Sequence, residues 1–429
     1  MRFALLNPNW NFDGSVYFGC REPHLPLELA YAKSALERHG HEAVLINGHM
    51  EGLNPAEVKD RLAAFKPDVT ILETAPTYLF WRCAQPELAV PLALAREIRR
   101  DTDALVIVGP HASATPRAAM RKLGADAALL GEFEDVAPQL CGNWDAIPSL
   151  SMRSDNGARI AVPHAADLKE LPALYWPEKA ISGHTHHHHR FDSPWRESPA
   201  AEIEASRGCP FDCVFCAKEN FRNGYRKRPL DEVVAEMAGL ASRGAKYLYF
   251  IDEIFLPDKD LINAISQMGI KFGIQTRIDL WREDQLRELG NAGCVSIEAG
   301  VESVTDEGRM SLGKKCRVSG ERLMALLIEA KRHVPFVQAN LIKAGNEGPE
   351  AASAWRRELL RYGVWANDPV PVFPYPGSPI YRAMWGQPDD WAWERASGHY
   401  MSVSKGAGLS DLQDKNPLGL EELERANNG

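Results

Sequence analysis

Short apolar runs and amphipathic helical stretches alternate along most of this chain, and this alternation limits the fold more than any other feature. Over residues 1–142 it predicts five strand–helix units, from "RFALLNP" and "PLELAYAKSALERHG" to "ADAALLGEFE". Such a pattern builds a parallel sheet with helices on both faces. The sequence therefore predicts an α/β, Rossmann-like domain whose ligands bind beyond the carboxyl ends of the strands.

The alternation is interrupted and then returns. Residues 143–199 are rich in proline and histidine and are predicted to be an irregular linker. Residues 200–385 carry six further strand–helix units, from "AAEIEAS" to "VWANDPVPVFPYPG". Six strands are fewer than the eight that close a full barrel, so a partial (β/α)6 TIM-type barrel is expected. Residues 386–429 are too short for a third domain and are predicted to be a C-terminal extension.

Charge and hydropathy restrict the partners of the chain. The 429 residues carry a net charge of −9, and 45% of them are hydrophobic. This balance argues against a nucleic-acid partner or an anionic membrane surface. No apolar run approaches the ~20 residues needed to span a bilayer, and "MRFALLNPNW" lacks the features of a secretory signal. We therefore expect a cytoplasmic protein whose eight cysteines are reduced thiols or metal ligands.

Three cysteines stand together in "CPFDCVFC", directly after the first predicted barrel strand. Cys209, Cys213 and Cys216 follow a C-x3-C-x2-C spacing, and no fourth cysteine follows nearby. Thiolates select zinc or iron–sulfur clusters. A structural zinc site is closed and tetrahedral, so it would need a distant fourth ligand such as a histidine of "HTHHHH". The spacing favours a [4Fe-4S] cluster with one iron open to a non-protein ligand, and unliganded core cysteines are the least favoured interpretation.

The cysteine motif and the segments after it resemble the radical SAM superfamily over residues 200–385. The resemblance implies that the open iron binds the amino and carboxylate groups of S-adenosylmethionine (SAM). The segments "FIDEIF", "TRIDL", "EAGVES" and "PYPGSPIY" are similar to later family motifs. The implied SAM contacts are Phe215, Arg277, Glu298, Gly300, Glu302 and Ser303. Each also has an ordinary structural interpretation, such as a surface ion pair for Arg277 or close packing at Gly300.

The N-terminal units resemble the cobalamin-binding domain of one large subgroup of that superfamily. The implied cobalamin contacts are Asn7, Thr74, Pro76, Thr77, Tyr78, Gly109, Pro110, His111, Ser113, Gly131, Glu132 and Glu134. A generic Rossmann-like sheet is the alternative, although no G-x-G-x-x-G opens the first helix. The D-x-H-x-x-G motif that supplies a cobalt ligand in many relatives is absent. The lower face of cobalamin would then be water-bound or covered by Tyr78 or Trp81.

A run of histidines, "GHTHHHHRFD", lies in the predicted linker. Successive residues point in different directions, and connecting segments usually run over the surface. A solvated linker, or a few histidines that pack between domains, is therefore the favoured interpretation. A metal or substrate role is the alternative, because imidazole is the commonest metal ligand.

Together, the resemblances predict a cobalamin-dependent radical SAM enzyme that methylates an unactivated carbon of a small molecule through a 5′-deoxyadenosyl radical and methylcobalamin. They imply a [4Fe-4S] cluster, SAM and cobalamin as cofactors, and a flavodoxin or ferredoxin as reductant. Tyr375 and Glu253 are candidate catalytic residues that would position the substrate at the barrel mouth. The alternatives are a cyclase or mutase, a methylthiotransferase-like enzyme with a second cluster on Cys20, Cys83 and Cys141, and a non-catalytic cobalamin or redox sensor.

Overall fold

The computed structural model describes most of the chain. The described residues are 1–10, 23–76, 88–153, 161–184, 199–220, 222–344 and 347–404. Several residues singled out above lie outside these ranges, namely Cys20, Thr77, Tyr78, Trp81, Cys83, His186, His187, His188 and His189. Within the described ranges, no helix is both long and apolar enough to cross a membrane.

The N-terminal half contains a six-stranded sheet. Its strands are β1 (Arg2–Asn7), β2 (Glu42–Asn47), β3 (Val69–Glu73), β4 (Ala104–Val108), β5 (Ala127–Leu129) and β6 (Leu150–Met152). The strand order is β2-β1-β3-β4-β5-β6. The first five strands are parallel, and β6 runs antiparallel to β5. Strand β6 lies in the stretch expected to be an irregular linker, so this sheet reaches further along the chain than the sequence indicated.

Helices cover both faces of this sheet. They are α1 (Leu27–Arg38), α2 (Gly48–Glu51), α3 (Pro55–Phe65), α4 (Ala89–Ile98), α5 (Pro110–Ala114) and α6 (Pro116–Leu123), and α7 (Glu178–Ser182) follows the sheet. Helix α3 begins with a capping box, in which the side chains of Asn54 and Glu57 each accept a bond from the other's backbone N–H. Every residue of β3 is buried, as expected for a strand between two helical layers.

The second half contains another sheet and a short ladder. Its strands are β7 (Ala200–Ile203), β8 (Ser206–Arg207), β9 (Arg226–Lys227), β10 (Tyr247–Phe250), β11 (Lys271–Thr276), β12 (Cys294–Glu302), β13 (Phe336–Leu341) and β14 (Trp365–Ala366). Six of them form a parallel sheet in the order β7-β10-β11-β12-β13-β14, while β8 and β9 pair separately. Strand β14 is shorter than the sequence indicated. Prolines follow it and cannot donate to a ladder, and the Asn367 side chain bonds the backbone of Leu341 instead.

The helices of this half alternate with its strands. They are α8 (Leu230–Ser242), α9 (Lys259–Met268), α10 (Glu283–Asn291), α11 (Asp306–Ser311), α12 (Gly320–His333), α13 (Pro349–Arg361), α14 (Pro379–Trp385) and α15 (Ala392–Ser404). Helix α9 begins at the cap Asp258 and ends at Gly269, which adopts a left-handed conformation. Because a helix separates successive parallel strands, the carboxyl ends of these strands meet at one edge of the sheet. Loops at this edge carry the active sites in folds of this kind.

The two halves share one hydrophobic core. A single cluster of buried side chains extends from Phe3 in β1 to Phe272 in β11. The C-terminal helix α15 adds a second contact between the two halves, since it packs on the N-terminal half. There the Trp393 ring lies 4.3 Å from the ring of His111, beside the carboxyl end of β4. The C-terminal extension thus covers part of the edge at which the N-terminal sheet was expected to bind its ligand.

Candidate functional site

The three cysteines lie in the loop between β8 and β9, beyond the carboxyl end of β7. Gly208 begins this loop with a φ of 77°, and a Cβ there would overlap the carbonyl oxygen of Gly224, so only glycine fits. The middle of the loop is bonded on both sides. Val214 donates its N–H to the Leu312 carbonyl at 3.0 Å and accepts from the Ile380 N–H at 2.8 Å. The loop is therefore held in place by the rest of the domain.

The positions of the sulfur atoms distinguish the two metal interpretations. In a tetrahedral zinc site, Zn–S distances of about 2.3 Å keep two sulfurs about 3.8 Å apart. The sulfurs of Cys209, Cys213 and Cys216 do not all lie within 4.8 Å of one another. Among the described residues, no histidine or carboxylate completes a compact ligand set with them. A [4Fe-4S] cluster does not need the three sulfurs in one compact set, because each thiolate binds a different iron.

Burial makes these thiols weak acids in the absence of a metal. It raises the pKa of all three, and that of Cys216 to about 12. At Cys213 the positive charges of Lys314 and Arg277 oppose the effect of burial on the pKa. A bound iron would supply further positive charge, and a thiol that coordinates it is deprotonated. The donor set thus fits an iron–sulfur cluster.

Two carboxylates at the end of β10 hold the start of the cysteine loop. Asp252 Oδ2 accepts from the Ala205 N–H at 3.0 Å, and Oδ1 accepts from the Ser206 hydroxyl. Burial raises the pKa of Asp252 to about 7. Glu253 Oε2 accepts from the Gly208 N–H at 2.8 Å. The structure thus engages Glu253, a predicted catalytic residue, in support of the loop.

Residues at the end of β11 and in β12 that were predicted to contact SAM converge on the same loop. The Arg277 guanidinium lies 3.9 Å from the centre of the Phe211 ring, and its Nη1 donates to the Lys314 carbonyl at 2.8 Å. Lys314 Nζ donates to Glu302 Oε1 at 2.9 Å. Glu302 has a φ of 68°, which is uncommon for a residue with a side chain and often marks a functional site. A Cβ at Gly300 would lie 2.6 Å from the Glu302 carboxylate, so a larger residue there would displace that side chain.

The other predicted SAM residues are placed less directly. Phe215 is half-buried in the cysteine loop. Glu298 is buried within β12, opposite Gln338 of β13. The hydroxyl of Ser303 donates to Glu347 Oε2 at 2.6 Å, so this side chain is engaged by the protein itself. Phe211 was missed by the sequence analysis, because only the fold brings its ring under the arginine.

At the N-terminal sheet, the strand ends lie together, but several predicted side chains have protein partners. The Asn7 side-chain amide donates to Asn47 Oδ1 at 2.8 Å, and the Thr74 hydroxyl donates to the Val108 carbonyl at 2.8 Å. The Ser113 hydroxyl accepts from the Gly131 N–H at 2.9 Å. Gly109 has a φ of 106° and precedes Pro110 at the first position of α5. Pro76 is buried, and a Cβ at Gly131 would overlap the backbone of His164. Backbone and small side chains therefore make up much of the surface that this edge offers to a flat macrocycle.

An aromatic cluster covers part of this edge. His111 is 1% exposed, and Trp393, whose ring lies against it at a tilt of 33°, donates from Nε1 to Thr115 Oγ1 at 3.1 Å. The His111 ring thus packs against a residue of the C-terminal helix. Tyr375, the second predicted catalytic residue, lies in the same cluster. Its ring centre is 4.6 Å from that of Phe373 and 6.4 Å from that of Trp393.

Glu132 and Glu134 were predicted to contact cobalamin, but both carboxylates face arginines of the second half. Glu134 Oε1 lies 2.6 Å from Arg207 Nη1, and Glu132 pairs with Arg226. A contact of these two residues with a cofactor would therefore have to come from their backbone. The sequence analysis missed the arginines, because Glu132 and Arg226 are 94 residues apart and no local pattern connects them.

A second buried arginine extends this network to the cysteine loop. Arg222 lies 3.0 Å from Glu28 of α1, 3.1 Å from Glu204 and 3.2 Å from Glu253. Arg222 and Arg207 are both almost fully buried. Because Glu253 also holds the start of the loop, the network connects the N-terminal half directly to the segment that carries the cysteines.

Comparisons of the sequence with known proteins agree with this geometry. The family model described as the radical SAM superfamily matches residues 203–347. An uncharacterized methyltransferase of Pyrococcus horikoshii is 24% identical over 306 residues, which cover 67% of this chain and 63% of that protein. The hopanoid C-3 methylase of Methylococcus capsulatus is 27% identical over 316 residues, which cover 67% of this chain and 56% of that protein. The chain thus spans about three fifths of the length of these curated relatives.

Solved structures share the fold. The radical SAM methyltransferase TsrM from Kitasatospora setae, with cobalamin and a [4Fe-4S] cluster bound, matches with a TM-score of 0.69 at 18% identity, covering 88% of this chain and 76% of that one. The cobalamin-dependent SAM radical enzyme OxsB matches with a TM-score of 0.61 at 16% identity, covering 80% and 49%. The resemblance predicted from the cysteine loop is confirmed: a radical SAM domain matches residues 203–347, and the chain shares its fold with two solved radical SAM enzymes that bind cobalamin.

Proposed function

We propose that this chain is a cobalamin-dependent radical SAM methyltransferase that methylates an unactivated carbon of a small molecule. The observation that carries the proposal is the anchored loop that holds three cysteines, beyond the carboxyl end of a strand in a parallel sheet. Several relatives are methyltransferases, and TsrM binds tryptophan and a SAM analogue. In this proposal the second sheet and its helices form a partial (β/α)6 barrel, and the first sheet forms a cobalamin-binding domain.

The described residues divide among the three cofactors. Cys209, Cys213 and Cys216 would ligate the cluster and leave one iron open to SAM. The residues that would surround SAM are Phe215, Arg277, Glu298, Gly300, Glu302 and the backbone of Ser303. Cobalamin would lie against the carboxyl edge of the first sheet, near Pro76, Gly109 and Pro110. When bound, these groups supply the electron that cleaves SAM, a radical able to take hydrogen from carbon, and the methyl group.

The chain's own contribution is to position these groups and to exclude water. Asp252 and Glu253 hold the start of the cysteine loop through backbone N–H groups. Asp279 lies 2.7 Å from the Arg277 guanidinium and fixes its direction. The face of the guanidinium then lies against the Phe211 ring. Buried ion pairs join the two halves and would hold the two sheets in a fixed arrangement during a reaction that water could intercept.

Metal analysis and the ultraviolet–visible spectrum of anaerobically purified protein provide the first test. We expect about four irons per chain, as in one [4Fe-4S] cluster, together with a corrinoid spectrum. Cys213→Ala should lose the cluster. Cys141→Ala is the matched control, because Cys141 is an exposed thiol outside the loop, and it should retain the iron. Protein that binds neither iron nor cobalamin after reconstitution would contradict the proposal.

Turnover with methyl-labelled SAM tests the reaction itself. Reduced protein, with flavodoxin or ferredoxin and a protein-free cell extract, should transfer label to a small molecule and release 5′-deoxyadenosine. Release of 5′-deoxyadenosine without label transfer would indicate a cyclase or mutase. About eight irons per chain would indicate a second cluster, as in a methylthiotransferase-like enzyme. No 5′-deoxyadenosine at all would indicate a sensor.

A further inference from the structure

Two histidines and one glutamate form a buried cluster where three chain segments meet. His24 precedes α1, His184 follows α7, and Glu202 lies in β7. Each is 2% exposed or less. His24 Nδ1 lies 2.7 Å from Glu202 Oε1, and His184 Nε2 lies 3.0 Å from Glu202 Oε2. One potential ligand atom from each residue lies within 4.8 Å of the other two, so a single cation could contact all three.

The backbone determines which nitrogen of His184 carries a proton. Its Nδ1 lies 2.9 Å from the Ala200 carbonyl oxygen, and a carbonyl oxygen only accepts, so Nδ1 is the donor. In a neutral ring, Nε2 then presents a lone pair to the Glu202 carboxylate at 3.0 Å. Two acceptors at this distance require a proton between them, on the ring or on the carboxyl, or a metal ion. Donation from the far ring nitrogen to a backbone carbonyl is the usual arrangement of a metal-bound histidine.

A third histidine favours the metal ion over the proton. His49 in α2 is 5% exposed, and neither ring nitrogen has a hydrogen-bond partner among the described residues. His49 lies in α2, directly after β2, in the same half of the chain as His24. Buried polar groups without partners are rare and call for a ligand. The His49 nitrogens lie outside the 4.8 Å set, so this side chain would ligate after a rotation or through a water molecule.

We propose that His24, His184 and Glu202 bind one divalent cation, with zinc as the best-matched ion, and that His49 or water takes the fourth position. Two imidazoles and one carboxylate form a common zinc ligand set, and imidazole suits zinc better than it suits magnesium or calcium. The site contains no thiolate, so its ligands are distinct from the three cysteines of the loop. It ties the segment before α1, the segment after α7 and the first strand of the second sheet together at one point.

Zinc and iron counts on the holoprotein test this proposal. The protein is purified without oxygen, chelators or metal-affinity resin, and both metals are measured by plasma mass spectrometry. We expect about one zinc per chain beside the cluster iron. Glu202→Gln retains the size of the side chain but removes its charge, and it should lower zinc at least about tenfold without changing iron. His164→Asn is the matched control, because His164 pairs with Asp135 at 2.9 Å outside the cluster, and it should retain the zinc.

Zinc K-edge absorption on the wild-type protein needs no variant and separates this site from the cysteines. We expect only nitrogen and oxygen ligands, at about 2.0–2.1 Å, and no sulfur at about 2.3 Å. A sulfur shell would overturn the proposal, as would equal zinc in the wild-type protein and Glu202→Gln. Wild-type protein that stays free of zinc after dialysis against zinc would also overturn it, and would leave a shared proton between His184 and Glu202 as the explanation of their contact.

Discussion

Replacing Arg207 by methionine tests the buried charge network between the two halves. Arg207 Nη1 lies 2.6 Å from Glu134 Oε1, and its Nε donates to Glu204 Oε1 at 2.9 Å. Methionine replaces much of the apolar stem but removes the cation from both carboxylates. Glu204 retains Arg222 at 3.1 Å. Glu134 retains a bond from the Phe133 N–H at 2.8 Å, which does not neutralise its charge.

Removing one partner of a buried ion pair costs about 3–5 kcal/mol, because the other charge stays desolvated. We expect the free energy of unfolding to fall by about 3 kcal/mol at pH 7. This value is at the lower end of that range, because Glu134 can take up a proton and so lose its charge. Burial raises the pKa of Glu134 against the opposing charge of Arg207, and the substitution raises that pKa further. A carboxyl with a raised pKa contributes stability at low pH that is lost as the pH rises through that pKa. The deficit of the variant should therefore shrink between pH 7 and pH 5.

Urea unfolding followed by tryptophan fluorescence measures this loss. Arg282→Met is the matched control, because Arg282 pairs with Asp284 at 3.0 Å while both side chains are largely exposed. The control should cost less than about 1 kcal/mol. Adding Glu134→Gln to Arg207→Met should recover part of the loss, since no unpaired charge then remains on residue 134. A loss in Arg207→Met no larger than the control's, or a deficit that grows toward low pH, would refute the reasoning.

Three further sets of variants test other parts of the structure. Glu253→Ala should lower cluster iron several-fold, whereas Glu253→Gln, which retains an acceptor for the Gly208 N–H, should stay within about twofold; equal iron contents would contradict this. The Asp252 carboxyl, with a pKa of about 7, contributes stability at low pH that is lost as the pH rises toward 7. Asp252→Asn should therefore remove a decline of about 1.4 kcal/mol per pH unit from urea titrations at pH 5, 6 and 7, and an unchanged slope would exclude this role. Trp393→Ala should cost about 3–5 kcal/mol in urea unfolding, because Trp393 is 6% exposed. Trp391, at 64% exposed, is its control, and equal losses would be inconsistent with the packing of α15.

The parts of the fold that the sequence analysis predicted depend on residues close together in the chain. The alternation of apolar runs and helices predicted α/β halves, and both contain parallel sheets. The spacing of Cys209, Cys213 and Cys216 predicted the radical SAM domain, which the family model matches over residues 203–347. Strand β6 was not predicted, because three residues are too few for a periodic signal. Strand β14 was predicted too long, because prolines interrupt an otherwise apolar segment.

The candidate site was predicted less completely than the fold. The sequence analysis identified Arg277, Gly300 and Glu302 near the cysteine loop, and the structure brings them together there. It also assigned side chains that the structure engages elsewhere, as in Ser303, which bonds Glu347. A motif indicates where a residue lies along a strand. It does not indicate which neighbour takes up its side chain, since that neighbour comes from another element.

The two α/β halves, the cysteine loop and the relationship of its domain to the radical SAM superfamily are all readable from the order of residues along the chain. The pairing of Glu134 with Arg207, and that of His24 with Glu202, 178 positions away, become visible only in the folded molecule. Secondary structure and a ligand loop arise from short-range geometry along the chain. Buried charges, in contrast, pair with whichever opposite charge lies close in the folded core, where the low dielectric constant makes the interaction strong. The separation of two residues along the sequence does not indicate whether they will be close there.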